Sequence, residues 1–259
     1  MFDPKSLLDQ FLGGQRDGQG NQSGANRANP NQANPNQGSQ GNQGIGDFLR
    51  GAGGGAVAGS LAALLLGSKA GRDIGGEALK LGGMAAVGAL AYKAYRDWQA
   101  GKQPAAPQEA ARQAPPLMLP APSGTPFNPS TESGQQSLAR SLLRAMIAAT
   151  KADGHVDAQE QARIFAEMDK MALSSEDKAF VMDELRANLD DDAVARGATT
   201  PEQAAEIYAA SLLAVTVDSA AERGYLAMLA ARLKLDDALV AHLHGTVAAA
   251  TGEKVPAVP

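Results

Sequence analysis

Apolar residues recur at helical spacing from about Ser133 to Ala250, and polar residues that favour helix caps interrupt the pattern at intervals. The stretch lacks the period-two alternation of half-buried strands, and its β-branched residues are not clustered. Five pairs have the spacing of a cap and the third helical residue: Ser133 with Gln136, Asp157 with Glu160, Ser174 with Asp177, Thr200 with Gln203, and Ser219 with Glu222. With a further start at Asp236, they predict an all-α domain of about six helices.

These signals place the helices at residues 134–152, 158–172, 175–189, 201–217, 220–234 and 237–250. The core is predicted to contain their apolar positions: Leu142, Leu143, Met146, Ile147, Ile164, Phe165, Met168, Met171, Phe180, Val181, Leu185, Ile207, Leu212, Leu226, Leu229, Leu233, Leu239 and Leu243. His242 and His244 are two residues apart and point in different directions on a helix, so they are not predicted to bind one ligand together. The run Asp190-Asp191-Asp192 is predicted to be a solvated turn.

The helical domain also contains an internal repeat. AATKADGHVDAQEQARI (148–164) and LAVTVDSAAERGYL (213–226) both run from an apolar helix through an Asp-led turn to a Glu that opens the next helix. Two hairpins related by a pseudo-twofold axis bring these turns together. The carboxylates that they would gather are Asp153, Asp157, Glu160, Asp218 and Glu222.

Two roles are open for this acidic set. Asp157, Glu160 and Glu222 occupy cap positions, where negative charge favours the positive end of a helix. Asp153 and Asp218 instead follow helix ends, where negative charge opposes the dipole. A shared cation would resolve that conflict; oxygen ligands suit Ca²⁺ or Mg²⁺, and the neighbouring histidine of the first turn extends the choice to Zn²⁺ or Mn²⁺. The alternative is a set of hydrated surface acids.

A different pattern precedes the helical domain. The 18 residues from Gly51 to Ser68 carry no charge, which is the lower limit for a helix that crosses a bilayer. Gly51, Gly55 and Gly59 recur every fourth residue and share one helix face, which allows close helix packing in lipid. This spacing predicts a membrane segment, with a glycine-rich soluble or peripheral segment as the alternative.

A second uncharged run, from Leu81 to Tyr92, is shorter. A second crossing requires Lys80 and Lys93 to extend their ammonium groups to the two interfaces. The aromatic residues Tyr92, Tyr95 and Trp98 then correspond to an interfacial belt, or alternatively to core residues of a soluble helix.

Composition divides the chain into six regions. Residues 1–12 form a short amphipathic segment, and 13–45 are a Gly/Asn/Gln linker predicted to be disordered. Residues 46–100 hold the membrane segment or segments, and 101–132 form a Pro/Ala-rich tether. The helical domain spans 133–250, and 251–259 are a tail.

Charge is distributed unevenly along the chain. Residues 1–130 carry a net charge of +3, whereas residues 131–259 carry −8. The acidic helical half argues against a nucleic-acid partner. The chain has no cysteine, which excludes disulfides and thiolate metal sites.

Two stretches carry a family resemblance. MIAATKADGHVDAQEQARI followed by SLLAVTVDSAAERGYLAMLAARLKL resembles the tellurite-resistance TerB-like family. LLLGSKAGRDIGGEALKLGGMAAVGALAYKAYRDWQ resembles the glycine-rich stretch of its membrane-anchored branch, the YebE-like bacterial inner membrane proteins of unknown function. The resemblance covers roughly residues 46–100 and 134–250. It implies an all-helical fold and a metal site at the acidic set.

The resulting hypothesis is a non-enzymatic scaffold or sensor, anchored in the bacterial inner membrane and able to bind a divalent cation. Its expected partners are membrane lipid and either a second copy or another envelope protein. The alternatives are a metal-assisted hydrolase that uses the same carboxylates and a purely structural oligomer assembled through the glycine faces.

Overall fold

Eight helices make up the described part of the chain, which consists of residues 2–13, 83–105, 120–152, 174–215 and 219–251 of a computed structural model. They are α1 (Pro4–Gly13), α2 (Gly83–Gln99), α3 (Glu132–Thr150), α4 (Ser175–Arg186), α5 (Asp191–Ala195), α6 (Pro201–Ala214), α7 (Ala220–Arg232) and α8 (Asp237–Thr251). These residues form no strand, so the all-α prediction is confirmed for this part of the chain. All of them belong to one unit, Met1–Gln15 with Ala58–Pro259; the second unit, Arg16–Val57, contains no described residue.

Capping chemistry sets where several helices begin, as the sequence predicts. At α4 the Ser174 hydroxyl accepts from the Asp177 backbone, while the Asp177 carboxylate accepts from the Ser174 backbone, which completes a capping box. Ser219 and Glu222 form the same arrangement at α7. Thr200 caps α6. The predicted starts of these three helices are confirmed.

Two local predictions were wrong. The cap of α3 is Thr131 rather than Ser133, because the Thr131 hydroxyl accepts from the Gly134 backbone. The run of three aspartates is a helix start rather than a solvated turn: Asp190 accepts from the Ala193 backbone and caps the short α5. The predicted helix at residues 158–172 lies outside the described residues.

Helix α6 lies at the centre of the bundle, where it packs against α2, α3, α7 and α8. Every residue from Ala204 to Leu212 is buried, so this helix has no solvent-facing stripe. The core prediction is largely confirmed: its described members are buried except Phe180, which is partly buried, and Ile164, Phe165, Met168 and Met171 lie outside the described residues.

The amphipathic segment at the start of the chain is part of this bundle. Leu7 and Leu8 are fully buried, and α1 packs against α2 and α3. The Asp9 carboxylate accepts a hydrogen bond from the Met84 backbone at 3.0 Å and thereby caps the first turn of α2 from another helix. The apolar side of this amphipathic segment therefore packs against the same chain.

The second apolar run forms most of α2 and packs in the core. Val87, Ala91 and Ala94 are fully buried, and the helix contacts α1, α6 and α8. No helix among the described residues has the length and apolar character of a membrane span. The packing of this run against three helices favours a core helix over the second crossing that the sequence left open.

The aromatic residues of α2 also face protein. Tyr92 and Tyr95 each pack edge-on against Phe127, with 5.6 Å between ring centroids, and Tyr95 also contacts Trp98. Phe127 is itself buried and sits in a turn before α3, within the predicted Pro/Ala-rich tether. These contacts favour core residues over an interfacial belt.

Candidate functional site

The acidic set is only partly visible in the structure. Asp153, Asp157, Glu160 and Asp218 lie outside the described residues, as do the predicted packing glycines Gly51, Gly55 and Gly59. Glu222 is described: it is buried, and its Oε2 accepts from the Ser219 backbone at 3.0 Å. The cap role of Glu222 is therefore present, while its role as a metal ligand stays a prediction. Within the described ranges, no group of three or more His, Asp or Glu side chains could hold a metal ion.

The two histidines of α8 are both buried and have separate partners. His242 Nε2 lies 3.0 Å from the Lys102 carbonyl oxygen, which can only accept, so this nitrogen carries the proton. His244 Nε2 shares a 2.8 Å hydrogen bond with the Tyr208 hydroxyl of α6. The two rings serve different contacts of the bundle, as expected from their spacing on a helix.

The most unusual polar group of the described chain is the Glu206 side chain, in the middle of α6. It is completely buried, and neither carboxyl oxygen has a hydrogen-bond partner among the described residues. Burial raises the pKa of this carboxyl well above its ordinary value of 4.5, because the charged form loses its contact with water. The carboxyl therefore retains its proton at pH values where an exposed glutamate is ionised.

A close approach of α2 creates the surroundings of Glu206. A β-carbon placed on Gly88 would lie 2.8 Å from the Phe127 carbonyl oxygen and 3.0 Å from Glu206 Oε1. Both oxygens thus border the same small volume, which a glycine leaves open. The absence of a side chain at position 88 lets α2 pack this closely on α6 and on the turn that contains Phe127.

A second region with buried polar atoms that lack hydrogen-bond partners among the described residues lies between α5, α6 and α7. Asp191 Oδ1 and the Tyr225 hydroxyl are buried without a hydrogen-bond partner among the described residues. Burial raises the pKa of both groups, and the Asp191 charge raises that of Tyr225 further. Ser211 also lies in this region, but its hydroxyl donates to the Ile207 carbonyl of its own helix. The shift of Asp191 is partly offset by the nearby Arg232 charge, which lowers its pKa.

A cleft of about 450 Å³ opens between α3, α4 and α5. Its two cations are already engaged. Arg144 donates through Nε and Nη2 to Glu184 Oε1, at 2.9 and 2.5 Å. Lys151 Nζ donates to the Glu184 carbonyl at 2.8 Å and to the Ala187 carbonyl, so it satisfies the C-terminal end of α4. The cations that line the cleft therefore stabilise the junction of α3 with α4. The described residues around the cleft do not form a recognisable ligand site.

Sequence patterns alone did not single out Glu206. The available signal was one acidic residue within an apolar run, AAEIYAASLLA, that has no polar face. A charge in such a run has no solvent-exposed side available to it, which predicts a buried carboxyl. Chemically, this arrangement can keep a proton on the Glu206 carboxyl.

Comparison with known proteins places most of the chain in one family. A family model described as "Protein of unknown function (DUF533)" matches residues 51–247. A curated protein of Yersinia enterocolitica, "Uncharacterized protein in ampR 5'region", is 32% identical over 94 residues, which cover 36% of this chain and 68% of that protein. No solved structure matches the chain. The family match extends across both the uncharged glycine run and the helical bundle.

Proposed function

The chain belongs to the DUF533 family, which is TerB-like, and we propose on that premise that it is a membrane-tethered helical binding module rather than an enzyme. It works as a scaffold or sensor at the bacterial inner membrane, where the proteins of the branch that the sequence resembles are anchored. Its partners are lipid and either a second copy or another envelope protein.

One observation carries this proposal. Helix α2 follows the glycine-rich stretch directly and is built into the bundle, where it packs against α1, α6 and α8. A force or displacement at residues 51–82 therefore reaches the bundle through a packed helix rather than through a flexible linker. Two sequence features support lipid as the partner of that stretch: its 18 uncharged residues and the four-residue spacing of its glycines.

The test is the partition of the full chain between membrane and water. We expect the protein to stay with the lipid fraction through a carbonate wash. A charge placed in the uncharged run, in Leu65→Asp, opposes insertion by about 2.5–3.5 kcal/mol, so the protein retained in the pellet should fall sharply. The measurement is the ratio of pellet to supernatant after the wash.

The matched control is Leu189→Asp, since Leu189 is an exposed leucine of the bundle. This substitution should leave the partition unchanged. Release of the unaltered protein by carbonate would contradict membrane anchoring.

A divalent cation at the acidic turns is a further part of the proposal. The one described member, Glu222, is committed to a helix cap, so the ligands proposed are mainly Asp153, Asp157, Glu160 and Asp218. If these carboxylates bind Ca²⁺, Mg²⁺, Mn²⁺ or Zn²⁺, the thermal midpoint of the full chain should rise with the concentration of that ion.

The ion response should disappear when Asp153 and Asp157 are both changed to Asn. It should persist in Glu176→Gln, which changes an exposed acid in the first turn of α4. Equal midpoints with and without each of the four ions would remove the cation from the proposal and leave the scaffold.

A further inference from the structure

Residues 120–131 form a turn that docks on the bundle just before α3. The Gly124 backbone nitrogen donates to the Asn128 carbonyl at 2.8 Å, and the Asn128 side chain donates to the Ala121 carbonyl at 3.0 Å. The side chains that the turn buries are those of Ala121 and Phe127, which are 6% and 5% exposed. The turn therefore has its own hydrogen bonds and is attached to the bundle through a small buried surface.

Phe127 links this turn to both α2 and α6. Its ring packs edge-on against Tyr92 and Tyr95 of α2, with 5.6 Å between centroids in each pair. Its carbonyl oxygen and Glu206 Oε1 both lie within 3.0 Å of the point that a β-carbon on Gly88 would occupy. Two oxygens that are this close to one point are near neighbours. The backbone of the turn thus borders the buried carboxyl of α6.

The two protonation states of Glu206 interact with this carbonyl in opposite ways. A protonated carboxyl has an O–H donor, and a backbone carbonyl is an acceptor. An ionised carboxylate only accepts, so two electron-rich oxygens then lie close together where water is excluded. The Glu206 side chain is completely buried, and both of its oxygens lack a hydrogen-bond partner among the described residues. Ionisation is therefore unfavourable unless the surroundings open to water.

The elements packed around α6 offer Glu206 little compensation for a charge. The buried residues of α3 are uncharged, and the turn at residues 120–131 contains no ionisable residue. Burial raises the pKa of Glu206 well above its ordinary value of 4.5. Ionisable side chains that the neighbouring helices turn toward α6 contact other residues of that helix: Tyr95 of α2 lies beside Glu202, Tyr225 of α7 beside Ser211, and His244 of α8 beside Tyr208.

We propose that the turn at residues 120–131 is a pH-sensitive latch, which is closed on α2 and α6 while Glu206 carries its proton and opens when that carboxyl ionises. Opening moves the Phe127 carbonyl away and admits water to the carboxylate. The turn is the element that yields, because detaching its two buried side chains costs less than separating the helices of the bundle. The proton is held at low pH and lost as pH rises, so the latch opens toward alkaline pH. This device goes beyond the proposed scaffold role and does not depend on membrane anchoring.

Thiol reactivity in the full chain tests the latch. The protein has no cysteine, so Ala121→Cys places a single thiol at a buried position of the turn. Its rate of reaction with iodoacetamide is measured from pH 5 to 9 and divided by the rate of free cysteine at the same pH. We expect this ratio to rise by up to about tenfold per pH unit, because opening is coupled to the loss of one proton. The ratio should be flat when Glu206→Gln is added and should still rise when Glu202→Gln is added.

A thiol elsewhere in the core separates the latch from unfolding of the whole bundle. Ala248 of α8 is fully buried, so Ala248→Cys reacts only when the bundle itself opens. At pH 9 it should react at least about tenfold more slowly than Ala121→Cys, since local opening precedes global unfolding. Equal rates for the two thiols would overturn the latch in favour of global unfolding. A flat ratio for Ala121→Cys up to pH 9 would also overturn it.

Tryptophan emission provides a second measurement that needs no thiol, in case Ala121→Cys does not fold. The chain has one tryptophan, Trp98, which contacts Tyr95, and Tyr95 packs on Phe127. Opening of the turn exposes this aromatic cluster, so the emission of the unaltered chain should shift to longer wavelength between pH 5 and 9. The emission of Glu206→Gln should not shift. Identical pH curves for the two proteins would contradict the latch.

Discussion

Glu206→Gln is expected to make the protein more stable than the original chain at pH 8, with the two alike near pH 4.5. Glutamine matches the shape of a protonated glutamate and does not ionise. The Glu206 carboxyl is fully buried with no hydrogen-bond partner among the described residues, so its ionised form has nothing to stabilise it. As pH rises, the original chain is destabilised because its buried carboxyl tends to ionise. The glutamine variant cannot ionise and so avoids this loss of stability.

The direction of this stability change follows from the number of protons that the folded and the unfolded chain bind. Burial raises the pKa of Glu206 in the folded chain above its ordinary value of 4.5, which also describes the unfolded chain. Between these two pKa values the folded state holds a proton that the unfolded state has lost. The free energy of unfolding therefore falls as pH rises through this window, by up to about 1.4 kcal/mol per pH unit, and the glutamine variant lacks this decline.

The measurement is the thermal midpoint of both proteins from pH 4.5 to 8. At this chain length about 1 kcal/mol corresponds to about 2–4 °C, so the difference should be resolved over one pH unit. Glu202→Gln is the matched control, because Glu202 lies one turn earlier on α6 and is only partly buried. Its curve should run parallel to that of the original chain. Parallel curves for Glu206→Gln as well would show that the buried carboxyl does not hold its proton.

Gly88→Ala is expected to destabilise the protein by about 1–3 kcal/mol, the range for forcing extra atoms into a packed interior. The added methyl group would lie 2.8 Å from the Phe127 carbonyl oxygen and 3.0 Å from Glu206 Oε1. The first of these atoms is backbone and cannot rotate away. The cost should exceed the gain of about 1 kcal/mol that alanine brings over glycine within a helix.

Gly224→Ala is the control for that helix gain. A β-carbon at Gly224, within α7, meets nothing within 4 Å, so this variant should gain up to about 1 kcal/mol. Urea unfolding of both variants measures the contrast, which should appear as midpoint shifts of opposite sign. A stabilised Gly88→Ala would mean that α2 does not pack closely on α6 and the Phe127 turn.

Local chemistry explains which parts of the fold were predictable. Ser174 with Asp177, and Ser219 with Glu222, form their capping boxes within four consecutive residues, so short stretches of sequence contain the whole interaction. The described apolar positions at helical spacing were likewise found in the core. The prediction of α3 missed its cap by two residues, since Thr131 and Ser133 offer the same hydroxyl and only backbone geometry chooses between them.

Long-range contacts explain what was not predicted. Asp9 caps α2 although 75 positions separate it from Met84, and no local pattern indicates that pairing. The apolar run of α2 fits a lipid-facing helix and a core helix equally well, because both bury the same side chains. Only the packing of α6 and α8 against it distinguishes protein from lipid as its surroundings.

Caps and hydrophobic periodicity act over a few residues, so the amino-acid sequence is enough to predict the all-α class, the starts of α4, α6, α7 and α8, and most of the described core. Only the folded arrangement shows that α1 and α2 complete the bundle and that Glu206 is enclosed with no hydrogen-bond partner among the described residues. Both depend on which distant surfaces meet, and burial changes the energy of a carboxyl only once those surfaces have excluded water.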